Sequence, residues 1–344
     1  MITRSFFIHK NNLSQGFSLV ELMVSMVISL FLTLGLFTMF RMSSTNVTTT
    51  SQFNDLQENG RMALALMERD LSQTAFMGDM TGERLMLKAN TQVLATSLGQ
   101  ASDCIGGGLN NESLPIDSPS PFRLVWGYKN GISTEPFSCL KDVAPNTDVL
   151  QIKRVRGPSS DTRLTTKNQY YVATNINEAI FYKGDEVDAA DLIKLQDPTL
   201  RFWSFAHHIY YVKKKNGIPS LHRRRLVGFN MNGGGGGDQQ LVEGIENIRI
   251  LYGIDRNFDN DVDLFLPAAN VTDEIWSGTG DDRIIALQVF LMVRSIDKDP
   301  SYTNNVGYDW GDPGSKLKFD DHYRRKIVMT TISLDNLMAS RNSE

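Results

Sequence analysis

Cysteine is almost missing from this chain of 344 residues, with only Cys104 and Cys139 present. Charge of either sign is also in short excess: Lys+Arg 35 against Asp+Glu 39 leave a net charge of −4. Binding to a polyanion would therefore need a local basic patch, because no global field favours it. No G-x-S-x-G, no H-E-x-x-H and no Cys/His nucleophile pair occurs, so the familiar hydrolase chemistries lack their residues. Gly233 to Gly237 form a run of five, but no Lys-Ser/Thr follows. That run reads as a mobile loop and not as a phosphate cradle. What remains is a chain with 41% hydrophobic residues, enough for a real core in one large or two modest domains.

The longest apolar run stands near the start. Phe17 to Phe40 makes 24 residues, which as a helix would span roughly 36 Å and so exceed the hydrocarbon core of a bilayer. Arg4, His9 and Lys10 precede it with no acidic residue, which places the N-terminus in the cytoplasm and everything beyond Phe40 outside it. An ordinary secretory signal would be shorter and would end in a small-residue cleavage site. Here RMSSTNVTTTSQ follows the run, and the small residue, Gly16, stands before it. With the rest exported, a single Cys104–Cys139 disulfide is the natural pairing, closing a loop of roughly 35 residues worth about 4 kcal/mol by chain entropy; two unpaired buried thiols are the alternative.

Glu21 is the anomaly in that run. An acidic group at the centre of a membrane helix costs about 2.5 to 3.5 kcal/mol, and less near an end. A cut between Gly16 and Phe17 would create an α-amino group one turn from Glu21, at a helix N-terminus where a carboxylate is favoured. The bland alternative is an uncleaved single-pass anchor whose Glu21 snorkels to the interface. The stretch GFSLVELMVS resembles the class III signal of prepilins, in which Gly precedes F-x-x-x-E at the head of a long apolar helix. The resemblance implies cleavage after Gly16 by prepilin peptidase, N-methylation of Phe17, and subunit recruitment through Glu21.

Beyond Phe40, a polar Ser/Thr stretch precedes a renewed helical period at Phe53, Leu56, Gly60, Ala63 or Leu64, Met67, Leu71 and Ala75. One long helix is expected from Phe17 to about Phe76, membrane-spanning over 17–40 and bent or loosened in the Ser/Thr stretch. From residue 77 to 344 short β-prone runs alternate with Gly, Pro, Asn and Asp, as in 122–128, 148–155, 169–174, 207–214, 221–229, 241–253, 282–295 and 324–334. In the seventh run Ile285, Leu287, Val289, Leu291 and Val293 share one face. The fold class expected is α+β: a long N-terminal helix packed against a predominantly antiparallel sheet. GGGLNNESLPIDSPSP and NMNGGGGGDQQ read as flexible loops.

The blocks LQENGRMALALMERDLSQTAFMG, LVEGIENIRILYGID, IIALQVFLMVRS and RRKIVMTTISLDN look like those of PilW-type minor pilins, relatives of the J-type minor pseudopilins of type II secretion. In that family a cysteine often follows the AFMG block closely, whereas here the first is Cys104. The resemblance implies a 1–16 leader and a non-enzymatic subunit of a pilus tip complex, which primes assembly and supports adhesion, twitching motility or DNA uptake. Implied partners are the inner membrane, prepilin peptidase, the inner-membrane assembly machinery, other minor pilins, the major pilin and a tip adhesin. The competing readings are a J-type pseudopilin and a membrane-anchored periplasmic enzyme or receptor.

Three further patterns carry expectations. Asp255, Asn257, Asp259, Asp261 and Asp263 alternate as Ca²⁺ ligands do. Asn260 and Leu266, however, stand where an EF-hand needs Gly and Glu, so Ca²⁺ would require ligands from elsewhere, and a solvated acidic turn is the alternative. His207 and His208 would point to opposite faces of a strand and act structurally. Arg223, Arg224 and Arg225 form the one dense basic cluster of the exported part, too short to imply a specific nucleic acid. No cofactor is required by any of these readings, and the sequence does not say which carboxylates meet.

Overall fold

A computed structural model describes residues 16–96, 98–99, 102–132, 136–228, 230–231, 237–311 and 316–339. The expected leader lies outside the described residues except for Gly16, and most of the glycine run, 233–236, does too. The chain forms two compact units, one ending at Phe53 and one beginning at Asn54.

The elements in chain order are α1 (Leu19–Leu71), β1 (Thr91–Val93), β2 (Val125–Lys129), β3 (Asp148–Ser160), β4 (Tyr170–Thr174), β5 (Ala179–Lys183), α2 (Ala189–Lys194) and β6 (Arg201–Lys215). There follow β7 (Ile218–Arg225), β8 (Asp238–Glu243), β9 (Ile245–Asp255), β10 (Leu264–Pro267), α3 (Asp273–Ser277), β11 (Arg283–Arg294), β12 (Gly307–Asp309), β13 (Lys316–Lys318), β14 (Arg325–Ser333) and α4 (Asp335–Met338).

In the first unit, α1 is exposed from Leu19 to Phe40, and within its own unit nothing covers its apolar side chains. The Ser/Thr stretch that was expected to bend or loosen is helical throughout. Two of its hydroxyls bond inside the helix: Thr45 donates to the Arg41 carbonyl at 3.0 Å and Thr48 to that of Ser44 at 3.1 Å.

In the second unit the end of α1 buries Leu56, Gly60, Ala63, Met67 and Leu71, the face that the spacing predicts. The helix stops at Leu71 and not near Phe76. Ala75 takes φ +62° and turns its N–H to the Lys153 carbonyl of β3 at 3.1 Å, so the chain bends onto the sheet. A methyl group on Gly60 would meet Val328 at 3.0 Å and Val293 at 3.1 Å, which shows how closely the helix approaches β11 and β14.

Two sheets share the core. The larger has eight strands in the order β1-β5-β4-β6-β3-β2, with β7 on β6 and β8 on β7. The smaller runs β10-β9-β11-β14, and β12 and β13 form a separate pair. All pairings between these strands are antiparallel except β1 with β5. Each of the eight sequence runs contributes a strand, but 241–253 is two strands in two different sheets. Gly244 is the joint. Its N–H donates to Pro219 of β7 at 2.8 Å and its carbonyl accepts from Arg294 of β11 at 2.7 Å, so one residue is bonded to both sheets. Both faces of β11 are covered: Leu287, Val289 and Leu291 meet the main core, and Phe290 and Met292 meet Trp310 and Ile327.

Segment 106–121 departs from the expected flexible loop. Asn110, Asn111, Ser113 and Leu114 are buried in it. The reason is that its amides and hydroxyl satisfy polar groups inside the body, with the Asn111 Oδ1 accepting from Gln151 Nε2 at 2.7 Å. In the second expected loop, Met231 is buried and Asp238 to Gln240 belong to β8.

Gly244 has φ +78°, and a Cβ there would sit 2.9 Å from the Arg294 carbonyl oxygen. Gly244→Ala is expected to destabilise the protein by about 1–3 kcal/mol, combining left-handed strain with a backbone clash. Gly131→Ala, at φ +87° in open space, carries the strain alone and should lose less. Urea midpoints of the two variants make the comparison.

Candidate functional site

The N-terminal segment is built by helix-end physics. Four N–H groups at a helix start lack intrahelical acceptors. The sequence Ser18-Leu19-Val20-Glu21 has the form of a capping box, and the Glu21 Oε2 accepts the Ser18 N–H at 3.0 Å. Leu22 N–H bonds to the Ser18 carbonyl at 3.1 Å, which closes the first turn. Further along, Ser25 donates to Leu22, Ser29 to Ser25, Thr33 to Ser29 and Thr38 to Leu34. Every polar side chain between Leu19 and Phe40 is thus bonded within the helix, as an apolar surrounding demands. Gly16 and Phe17 precede the helix, and the Phe17 side chain is exposed.

In the body, a buried carboxylate joins the helix to the larger sheet. Asp70 accepts from Arg154 of β3 at 2.6 and 2.8 Å through Oδ1, and from Tyr210 and His208 of β6 at 2.5 Å each through Oδ2. Arg223 of β7 lies 3.7 Å away. Burial by itself would raise the Asp70 pKa. The hydrogen bond from His208, then the charge of Arg154 and the Tyr210 hydroxyl, override it and hold the carboxyl far below its usual range. Burial pulls His208 below the ordinary imidazole range despite Asp70, and burial with Asp70 pushes the Tyr210 phenol up. The sequence reading missed Asp70, although it falls on the buried helical face between Met67 and Leu71.

A second buried network lies on the opposite face of the same strands. Asp103 accepts the N–H groups of Cys104 at 2.7 Å and Ser113 at 3.0 Å, and Ser113 Oγ meets His207 Nδ1 at 2.8 Å. Lys153 Nζ reaches the Asn111 Oδ1 at 3.3 Å and lies 4.2 Å from the centre of the Phe122 ring. Burial pulls its pKa down to about 7, against the pull of Asp103 and Glu112. Ser113, His207 and Asp103 have the residue types of a hydrolytic triad, but Asp103 bonds to Ser113 and all three are buried. No substrate reaches them. The Cys104–Cys139 disulfide is formed beside this network, with 5.2 Å between Cα atoms.

The remaining sequence patterns are placed as follows. His207 and His208 point to opposite faces, each into one of the two networks. Asp255 is fully buried and accepts from Arg283 at 2.7 Å and from the N–H groups of Asn257, Phe258 and Asn260. Asn257, Asp259 and Asp263 cap the N–H groups of Asp259, Asp261 and Arg256. The acidic string therefore spends most of its oxygens on its own turn. Among the described residues no group of three or more His, Cys, Asp or Glu is placed to hold a metal ion. Arg223 bonds to Gln239 and Arg224 to the Met231 carbonyl. An open cleft of about 860 Å³ lies beside Phe122, Trp276 and Leu337, and the Arg283 in its wall is committed to Asp255.

Residues 11–37, which contain Gly16, Phe17 and Glu21, match the prokaryotic N-terminal methylation motif. Residues 209–336, from within β6 to α4, match the family described as Type IV Pilus-assembly protein W. These two stretches make the chain similar to PilW-type type IV minor pilins. No curated protein matches it. Among solved structures, a type IV-like pilin from Thermus thermophilus aligns over 82% of this chain and 96% of its own at 10% identity, with a TM-score of 0.34. The PilW match contains β7 to β14 and so includes the Gly244 joint and the whole smaller sheet. Asp70, Arg154 and the 102–122 segment lie before it in the sequence.

Replacing Asp70 by Asn in this PilW-like chain leaves Arg154 buried without its counter-charge, which should cost about 3–5 kcal/mol. The pH dependence has a definite sign. The Asp70 carboxyl, depressed in the folded state, contributes stability above about pH 3.9 that is lost as pH falls below it. His208, held neutral by burial, adds a loss that begins below about pH 6.5. Denaturation of the parent should therefore steepen through the acid range, and Asp70→Asn should flatten the lower part of that profile.

Proposed function

We propose that this chain is inserted in the inner membrane with its N-terminus in the cytoplasm, cut after Gly16 by prepilin peptidase, N-methylated at Phe17, and incorporated into a type IV pilus tip complex. The single observation that carries this reading is the match of residues 11–37 to the methylation motif at the head of an apolar helix. The internally satisfied hydroxyls of that helix support residence in lipid. Its work is binding, not catalysis: the serine, histidine and lysine groups that could do chemistry are buried in structural networks.

Glu21 fits such a role by position. As a cap it already sits at the helix start, where a cut after Gly16 would create a free amine. In the assembled complex the same carboxylate would meet the amine of its own or a neighbouring chain. The body would present surfaces to other minor pilins, the major pilin and a tip adhesin, and so prime assembly for adhesion, motility or DNA uptake.

Mass spectrometry of the protein from cells should show an N-terminus at N-methylated Phe17; an intact Met1 or another start would sink the reading. Glu21→Ala should leave insertion and cleavage in place while lowering recovery in sheared pili on the order of tenfold, the effect of about 1.4 kcal/mol of lost contact. Normal incorporation of that variant would refute the role given to Glu21.

A further inference from the structure

Two strands pair with one edge of β6 and leave a gap between them. Tyr171 to Thr174 of β4 lie opposite Ser204 to Arg201, and Ile218 to Arg225 of β7 lie opposite Lys215 to His208. Between the two ends, beside Phe205 and Ala206, is an open notch of about 630 Å³. Arg156, Arg225, His208, Asn168 and Gln169 are among the residues that line it.

Sheet register explains how the arginines arrive there. Arg154 lies opposite Ala206 and Arg156 opposite Ser204, while Arg225 lies opposite His208 and Arg223 opposite Tyr210. Ser204, Ala206, His208 and Tyr210 alternate along β6, so all four arginines share one face. Asp70 is the carboxylate that faces them, and it is already engaged by Arg154, His208 and Tyr210. Arg154 also bonds to Gln73 and Arg223 to Gln239. Arg156 and Arg225 differ. Among the described residues neither guanidinium has a side-chain or carbonyl partner, and the Arg225 Nε is buried without one. Arg156 is exposed, while partial desolvation in the notch and then the neighbouring cations Arg154, Arg225 and Arg223 lower its pKa, with Asp70 opposing them. Like charges held together without an internal counter-ion cost stability, although the chain has 39 acidic side chains that could have supplied one.

We propose that this notch is an oxyanion site in which Arg156 and Arg225 clasp a carboxylate presented by a neighbouring protein subunit. Guanidinium forks match carboxylate and phosphate groups bidentately, so the shared chemistry is an oxyanion. The protein source is favoured by shape. A nucleic-acid surface needs a basic stripe that follows a phosphate backbone, whereas this basic region is confined to a notch in a chain of net charge −4. The choice of a subunit as source rests on the pilus reading above; the site itself does not.

The test uses the full chain purified in detergent. Melting temperature is compared in phosphate and in chloride at matched ionic strength, for the parent, Arg156→Gln and Arg225→Gln. Phosphate should raise the parent's melting temperature by several degrees through mass action, and each substitution should remove the gain. In chloride, Arg156→Gln should melt no lower than the parent, because it relieves repulsion; a structural arginine would do the opposite. No phosphate effect, or one that survives both substitutions, overturns the site. Anisotropy with a labelled hexaglutamate peptide and a labelled single-stranded oligonucleotide then separates the sources. Peptide binding that weakens on the order of tenfold in each variant supports the carboxylate. Tighter, arginine-dependent binding of the oligonucleotide overturns it in favour of nucleic acid, and a phosphate effect with no peptide binding overturns it in favour of the free ion. These readouts do not depend on processing, so their failure is distinct from failure of the N-terminus to begin at Phe17.

Discussion

Burying the Asp70 carboxylate takes an ion out of water at a cost of several kcal/mol, recovered only where donors meet it in good geometry. Arg154, His208, Tyr210 and Arg223 are those donors and charges, and they come from β3, β6 and β7. Because removing any of them strands a charge, the helix end is held at one register on the sheet. A purely apolar face of Leu56, Ala63, Met67 and Leu71 could slide by a turn at small cost. The ion cannot, which is what makes this contact specific as well as cohesive.

The same economy of space governs the joint between the sheets. Gly60 lets the helix approach Val293 and Val328, and Gly244 lets the chain leave one sheet and enter the other while bonding to both. Segment 102–122 fills the opposite side with polar groups that satisfy one another, and the disulfide closes it. Buried polarity on this scale is tolerable because its central donors, Ser113, Gln151 and Lys153, find partners inside the body. It also explains why residues with catalytic potential, such as Ser113, His207 and Lys153, do structural work here.

Much of this was legible in the sequence. The period of the second half of α1 gave the buried face, each β-prone run contained a strand, and opposite faces for His207 and His208 followed from strand geometry. The short strands β1, β5, β10, β12 and β13 were missed, since three to five residues carry too little pattern to stand out. The end of α1 was placed five residues late because Ala75 continues the apolar spacing, yet its N–H is claimed by Lys153. Segment 106–121 looked flexible from its Gly, Asn, Ser and Pro content. Composition cannot reveal that Asn111 and Ser113 have buried partners forty and ninety-four residues away.

By itself the sequence determined the N-terminal apparatus. A Gly-Phe pair at 16 and 17, an apolar helix and a glutamate in its first turn are local facts, set by hydropathy and helix-end chemistry. Only the tertiary structure decided how the charged residues of the body are used. Asp70 and Arg154 are 84 residues apart, and Arg156 and Arg225 come from separate strands on either side of β6. The sequence showed Arg223, Arg224 and Arg225 as one basic run; the sheet divides them, because neighbours on a strand face opposite sides.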